Sequence, residues 1–143
     1  MISWSDMLLP CVMEIAVTSQ ALSQMRAAAA AAHPREACGL LLGEGARITE
    51  AREVRNVHPA PHTHFEIDPQ ALIDAHRAAR AGGPDVAGYF HSHPVGAAAP
   101  SATDRASAAG DGRIWAIIAG ADITFWHDAV TGFAPVSYGL VAQ

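Results

Sequence analysis

The run EACGLLLG, residues 36–43, constrains the fold more than any other stretch of this chain. It is short, apolar and bounded by turn signals, with His33-Pro34 before it and Gly43 at its end. A run of that length between breakers reads as a buried strand rather than a helix. A strand of this kind needs neighbours in a sheet and layers that cover the sheet.

The rest of the chain supplies them. EIAV (14–17) reads as a short strand and TSQALSQMRAAAAAA (18–32) as a helix. Thr18 or Ser19 caps that helix, Leu22, Met25 and Ala29 share one face, and His33-Pro34 ends it. RITEAREVRNV (47–57) reads as an exposed strand with apolar positions at Ile48, Val54 and Val57. Two prolines make HPAPHTHF (58–65) a loop. Asp68 then caps a helix over 69–81, with Pro69 in its first turn and Gly82-Gly83-Pro84 as its stop. Further strands follow at 85–91, 113–120, 122–127 and 133–141, with a short helix over 101–109. The order β α β β α β α β β β predicts an α/β fold, a mixed sheet flanked by helices.

At 143 residues the chain suits one domain with one core. Alanine supplies much of the apolar half, which predicts thin layers. The net charge of −5 and the scattered arginines give no basic stripe, which argues against duplex nucleic acid as a partner. The two cysteines, Cys11 and Cys38, make neither a disulfide framework nor a cysteine zinc site. They read as reduced thiols in a cytoplasm, with a single disulfide as the oxidised alternative. The start MISWSDMLLPCVMEIAV carries Asp6 and Pro10 and lacks a basic beginning, so it is not read as a signal peptide. Residues 1–12 are expected to be an extension to a domain spanning 13–143, with Met13 as an alternative start. No run reaches the length of a membrane span.

The chemistry concentrates in YFHSHPVGAAAPSATD, residues 89–104. Side chains two apart on an extended segment point the same way, so His91 and His93 converge at a strand end. Ser101-x-x-Asp104 is a helix N-terminal signature, which fixes where the Asp104 carboxylate points. Two imidazoles and one carboxylate suit Zn²⁺ with its fourth position left for water, the pattern of a catalytic rather than a structural site. The competing reading is a surface His pair beside an ordinary capped helix. A second His-x-His, His62 and His64, has no Ser-x-x-Asp at similar spacing and reads as loop residues near the cleft. Water activated by zinc needs a group to accept its proton, best a carboxylate in an apolar setting. Glu36, at the head of EACGLLLG, fits, and Glu66 is the weaker alternative.

Taken together, HPREACGLLLG and HSHPVGAAAPSATD resemble the signature of the JAMM (MPN-plus, JAB domain) metalloproteases. That signature is a glutamate, a distant His-Ser/Thr-His, seven residues, a serine, two residues and an aspartate. It is met here by Glu36, His91-Ser92-His93, Ser101 and Asp104, and RNVHP and FEIDP resemble small prokaryotic members. The resemblance, over residues 14 to about 140, implies a cytidine-deaminase-like fold, a curved mixed sheet between helices. It implies one Zn²⁺ held by His91, His93 and Asp104, Glu36 as general base and then acid, and Ser101 as an oxyanion donor. It also implies hydrolysis of an amide or isopeptide bond after the C-terminal Gly-Gly of a ubiquitin-like sulfur-carrier protein, by tail trimming or cysteine release. The tail would add along the strand at 47–57, with Asn56 and the 58–66 loop beside the cleft. Among small relatives a cysteine at the position of Cys38 can pair with a second one, for which only Cys11 is available here. Other open readings are a silent MPN-type scaffold, whose usual loss of motif residues is not seen, and a deaminase, whose His-x-Glu and Cys-x-x-Cys motifs are lacking. Oligomeric state is not legible.

Overall fold

The computed structural model describes residues 14–142. The strands are β1 (Glu14–Thr18), β2 (Cys38–Glu44), β3 (Arg47–Val54), β4 (Asp85–Ser92), β5 (Ile114–Ala119), β6 (Asp122–Ala129) and β7 (Gly132–Val141). The helices are α1 (Ser19–Ala32), α2 (Pro69–Arg80) and α3 (Ala102–Ser107). The strands run in the order β1-β3-β2-β4-β5-β6-β7, and β7 pairs back onto β1, so the mixed sheet closes on itself. Pairing is parallel for β1–β3, β1–β7 and β4–β5 and antiparallel elsewhere. The α/β mixed sheet flanked by helices is as expected, whereas its closure joins the two ends of the described chain and had no local signal.

The run that opened the reading is the centre of the sheet. Every residue from Cys38 to Gly43 is buried, and β2 pairs with β3 on one side and β4 on the other. Alternation sends successive side chains to opposite faces. Leu41 joins the cluster of α1 residues Ala21, Leu22, Met25 and Ala28. Leu40 and Leu42 join Ala75 of α2 and Val86. Burying one leucine fully contributes about 1.5–3 kcal/mol, so β2 anchors both helical layers.

Local chemistry sets the helix starts. The Thr18 hydroxyl accepts from the Ala21 amide at 3.1 Å to cap α1, and Asp68 Oδ1 accepts from the Gln70 amide at 3.1 Å to cap α2. Gly88 sits where β4 meets Ile114 of β5, and an added Cβ there would strike the Ile114 backbone. That close approach aligns the histidine-bearing end of β4 with the rest of the sheet.

Two expectations need correction. The strand predicted over 47–57 ends at Val54 and is not a free edge: Arg47 and Ile48 pair with β1, and the Ala51 amide donates to Gln24 Oε1 of α1 at 2.8 Å. Strand addition by a substrate tail is therefore closed along its first half. The helix predicted over 101–109 stops at Ser107 because Ala108 turns extended and Gly110 takes a positive φ of 66°. The Gly110 amide donates to Asp128 Oδ2 at 3.1 Å, which draws the chain away from the helix axis. The N-terminal extension and Cys11, with its pairing to Cys38, lie outside the described residues. Among the described residues, no helix is long and apolar enough to cross a membrane.

Candidate metal centre and active site

Three elements bring the site together. β4 carries His91 near its end, the loop beyond it carries His93, and the first turn of α3 carries Asp104. The His93 amide donates to the Ile118 carbonyl at 2.8 Å, which extends the β4–β5 pairing one residue and keeps both imidazoles on one side. The Ser101–Asp104 capping box has both arms: the Asp104 amide donates to Ser101 Oγ and the Ser101 amide to Asp104 Oδ2, each at 3.0 Å. The cap expected of Ser-x-x-Asp is formed, and it holds the carboxylate against the histidines, as the ligand reading requires.

His91 Nε2 lies 3.0 Å from Asp104 Oδ1, and His93 Nε2 lies 3.1 Å from Asp104 Oδ2. The two Nε2 atoms are 3.1 Å apart. His93 Nδ1 donates to the Ala97 carbonyl at 2.8 Å, which leaves the Nε2 lone pair facing the cluster. Neutral imidazole nitrogens and carboxylate oxygens turned on one point repel one another unless a proton or a cation lies between them. Ligands about 2.0–2.1 Å from a tetrahedral zinc stand about 3.3 Å apart, so the donor set fits that ion. Among the described residues this is the one group of three or more His, Cys, Asp or Glu able to hold a metal. His62 and His64 are not part of it, and His64 stacks on His58 with ring centroids 4.6 Å apart.

Burial and charge set the protonation behaviour. Burial alone would raise the Asp104 carboxyl, but hydrogen bonds with His91 and His93 outweigh it and hold it well below the usual carboxylate range. Burial pushes the fully enclosed His91 down, whereas the bond to Asp104 pulls His93 up. Glu36 is 7% exposed, and burial raises it from 4.5 to about 7, with His93 opposing and Asp104 adding to the shift. Glu36 is thus close enough to the cluster to feel its charges, and it is poised to exchange protons near neutrality. Glu66, the weaker alternative, is exposed to solvent. Burial pushes the Cys38 thiol up to about 12, so it stays protonated and contributes no thiolate.

Some contacts at the site had no sequence signal to announce them. Ser92 bonds Ala37, the neighbour of Glu36, to the histidine strand through its hydroxyl at 2.8 Å. Phe65 stacks on the His91 ring at 4.3 Å, and Trp115 meets it edge-on at 5.6 Å. These rings shield the buried side of His91, whose Nδ1 has no hydrogen-bond partner among the described residues. Two hollows flank the cluster. One of about 320 Å³ lies against His93, Ser92, Arg26 and His33. The other, about 350 Å³, lies against Phe65, Leu72, Tyr89 and Trp115.

A closed mixed sheet with a Glu and a His-x-His/Asp cluster at one end defines a JAB/MPN-type domain. The family described as prokaryotic homologs of the JAB domain matches residues 18–129, and the chain belongs to it. A desampylase of Haloferax volcanii is 40% identical over 98 residues, 67% of this chain and 70% of that one. A probable TtuB-protein conjugate cleaving protease of Thermus thermophilus is 38% identical over 71 residues, 50% of this chain and 47% of its own length. Among solved structures, a protein from Desulfitobacterium hafniense superposes with a TM-score of 0.77 at 30% identity, covering 90% of this chain and 94% of that one. A JAB1/MPN domain protein from Archaeoglobus fulgidus shares the fold with a TM-score of 0.60 at 18% identity, covering 88% and 98%.

Proposed function

We propose that this chain is a zinc-dependent isopeptidase acting on conjugates or extended tails of a ubiquitin-like protein. The observation that carries the reading is the pairing of a buried Glu36, raised to about 7, with the convergent His91, His93 and Asp104. The names of the Haloferax and Thermus relatives, a desampylase and a TtuB-protein conjugate cleaving protease, point to the same substrate class.

In this reading His91 Nε2, His93 Nε2 and an Asp104 oxygen hold Zn²⁺. Zinc, when bound, supplies Lewis acidity, lowering the pKa of a water toward neutrality and polarising the scissile carbonyl. Glu36 accepts the proton of the attacking water and returns it to the leaving amine. Its raised pKa suits both steps, because it gives up and takes up a proton at little cost near pH 7. Ser101 Oγ already accepts from the Asp104 amide, so its O–H remains to donate to the developing oxyanion. The Ser101 cap holds the Asp104 carboxylate in place, and the Ala97 carbonyl holds the tautomer of His93.

Within that class, the substrate is a ubiquitin-like sulfur carrier with a C-terminal Gly-Gly, cut to trim its tail or to release cysteine. Residues without side chains suit passage between the 57–66 loop and α3. The test is incubation of the zinc-loaded protein with three carriers: one with residues beyond Gly-Gly, one bearing a C-terminal cysteine and one isopeptide-linked to a lysine. Mass spectrometry then locates the cut. A cut after Gly-Gly supports the reading, and three intact carriers contradict it.

A further inference from the structure

Glu36 lies between the end of α1 and the start of β2, where no strand or helix fixes its backbone. Buried peptide groups outside regular structure need partners elsewhere. The Glu36 amide donates to the Pro61 carbonyl at 2.7 Å, and its carbonyl accepts from Asn56 Nδ2 at 3.1 Å. Both partners belong to the 55–67 segment.

Asn56 does more than meet that one carbonyl. Its Nδ2 also donates to the His64 carbonyl at 3.0 Å. Its Oδ1 accepts from the His58 and Glu66 amides, each at 3.1 Å. A primary amide has two donors and two acceptor sites, and here all four are used. The Val57 amide donates to the Glu66 carbonyl at 3.1 Å, and Asn56 bridges Ile67, so the loop is closed at its base around this side chain. The same loop supplies His58, Phe65, Glu66 and Ile67 to the hollow beside His91.

We propose that Asn56 is the positioning residue of Glu36, tying the proton-transfer carboxylate to the loop that walls the cleft. The inference rests on the reading of Glu36 as the general base. The donor end of Asn56 is not replaceable by a residue of the same shape: aspartate keeps the two acceptor bonds but sets an oxygen against the Glu36 and His64 carbonyls. None of these hydrogen bonds of Asn56 goes to His91, His93 or Asp104, so its loss is expected to act first on the placement of Glu36 and to leave zinc binding in place. A displacement of about 1 Å at a catalytic group is enough to cost on the order of a hundredfold in rate.

The experiment compares Asn56→Asp and Asn56→Ala with wild type and Glu36→Gln, each zinc-loaded, on a ubiquitin-like carrier with a blocked Gly-Gly tail. Zinc per chain, thermal midpoint, kcat and KM are measured together. The expected result is one zinc per chain, a KM within threefold and a kcat lowered at least tenfold. A kcat within twofold of wild type overturns the proposal, as does a loss of kcat matched by loss of zinc. Should Asn56→Ala fail to fold, Asn56→Asp decides; failure of both assigns Asn56 to the fold and also overturns it. If Glu36→Gln is inactive while the Asn56 variants are not, only this inference falls. If Glu36→Gln is fully active, the reading of the base falls first.

Discussion

The amide of Ala37 donates to the Ser92 hydroxyl at 2.8 Å, and the amide of Ser92 donates to the Ala37 carbonyl at 3.0 Å. This reciprocal pair joins the residue after Glu36 to the residue between the two histidines. It sets the spacing between the proposed base and the His91–His93–Asp104 group without using any candidate ligand atom. Ser92→Ala removes the hydroxyl acceptor and leaves the buried Ala37 amide unsatisfied, at a cost of about 1–3 kcal/mol. The expected outcome is a lower thermal midpoint and a reduced kcat with zinc retained, and Ser92→Thr restores both.

The ligand set makes a separate prediction. His91→Ala and Asp104→Ala each remove one of three donors, and Asp104→Ala also removes one arm of the α3 capping box. Zinc analysis of purified protein is expected to give about one ion per wild-type chain and a stoichiometric loss in either variant. Chelation of the wild type abolishes cleavage, and added zinc restores it.

The grouping of His91, His93 and Asp104, the candidate ligands, was legible because their spacing is local. His91 and His93 share a face by strand periodicity, and Ser101-x-x-Asp104 is a helix start that can be recognised without knowing the fold. Glu36 was legible from its place ahead of an apolar run, and burial accounts for its shift. The contacts that position these groups were not legible. Ser92 reaches Ala37 across 55 positions of sequence, and Asn56 gathers four partners around a turn whose closure has no composition signal. Closure of the sheet was hidden for the same reason, since β1 and β7 pair between the two ends of the described chain. Residues 47–54 keep the expected mix, with Ile48 buried and Arg52 and Glu53 exposed, but α1 packs beside the strand and Gln24 takes the Ala51 amide, a tertiary contact that no local pattern announces.

The raised Glu36 carboxyl fixes the sign of the pH response. As a base it must be ionised, so kcat/KM is expected to fall about tenfold per pH unit below about 7 and to level off above it. Stability of the metal-free chain runs the other way. The folded carboxyl keeps its proton up to about 7, whereas the ordinary value is 4.5, so unfolding releases a proton between those values. The folded state therefore loses stability as pH rises through that window and levels off above it. Glu36→Gln removes this slope, and denaturant titration of the metal-free proteins at pH 8 should find it more stable than wild type by up to about 3 kcal/mol.

Ser101 combines two jobs that one substitution separates. Ser101→Ala removes the cap of α3, a loss of about 0.5–2 kcal/mol in stability. It also removes the hydroxyl proposed to meet the oxyanion, for which the expected fall in kcat is about 10²–10³ with KM little changed. Asn, which also caps helices, is expected to restore the thermal midpoint without restoring kcat in full. Steady-state kinetics and melting curves on the same preparations check both halves.

The central claim is that Glu36 moves protons beside a metal held by His91, His93 and Asp104. Its most direct measurement is cleavage of an isopeptide-linked ubiquitin-like conjugate by Glu36→Gln, with zinc determined on the same sample. The account predicts about one zinc per chain and cleavage lost by several orders of magnitude. Cleavage at the wild-type rate by the zinc-loaded variant would contradict it.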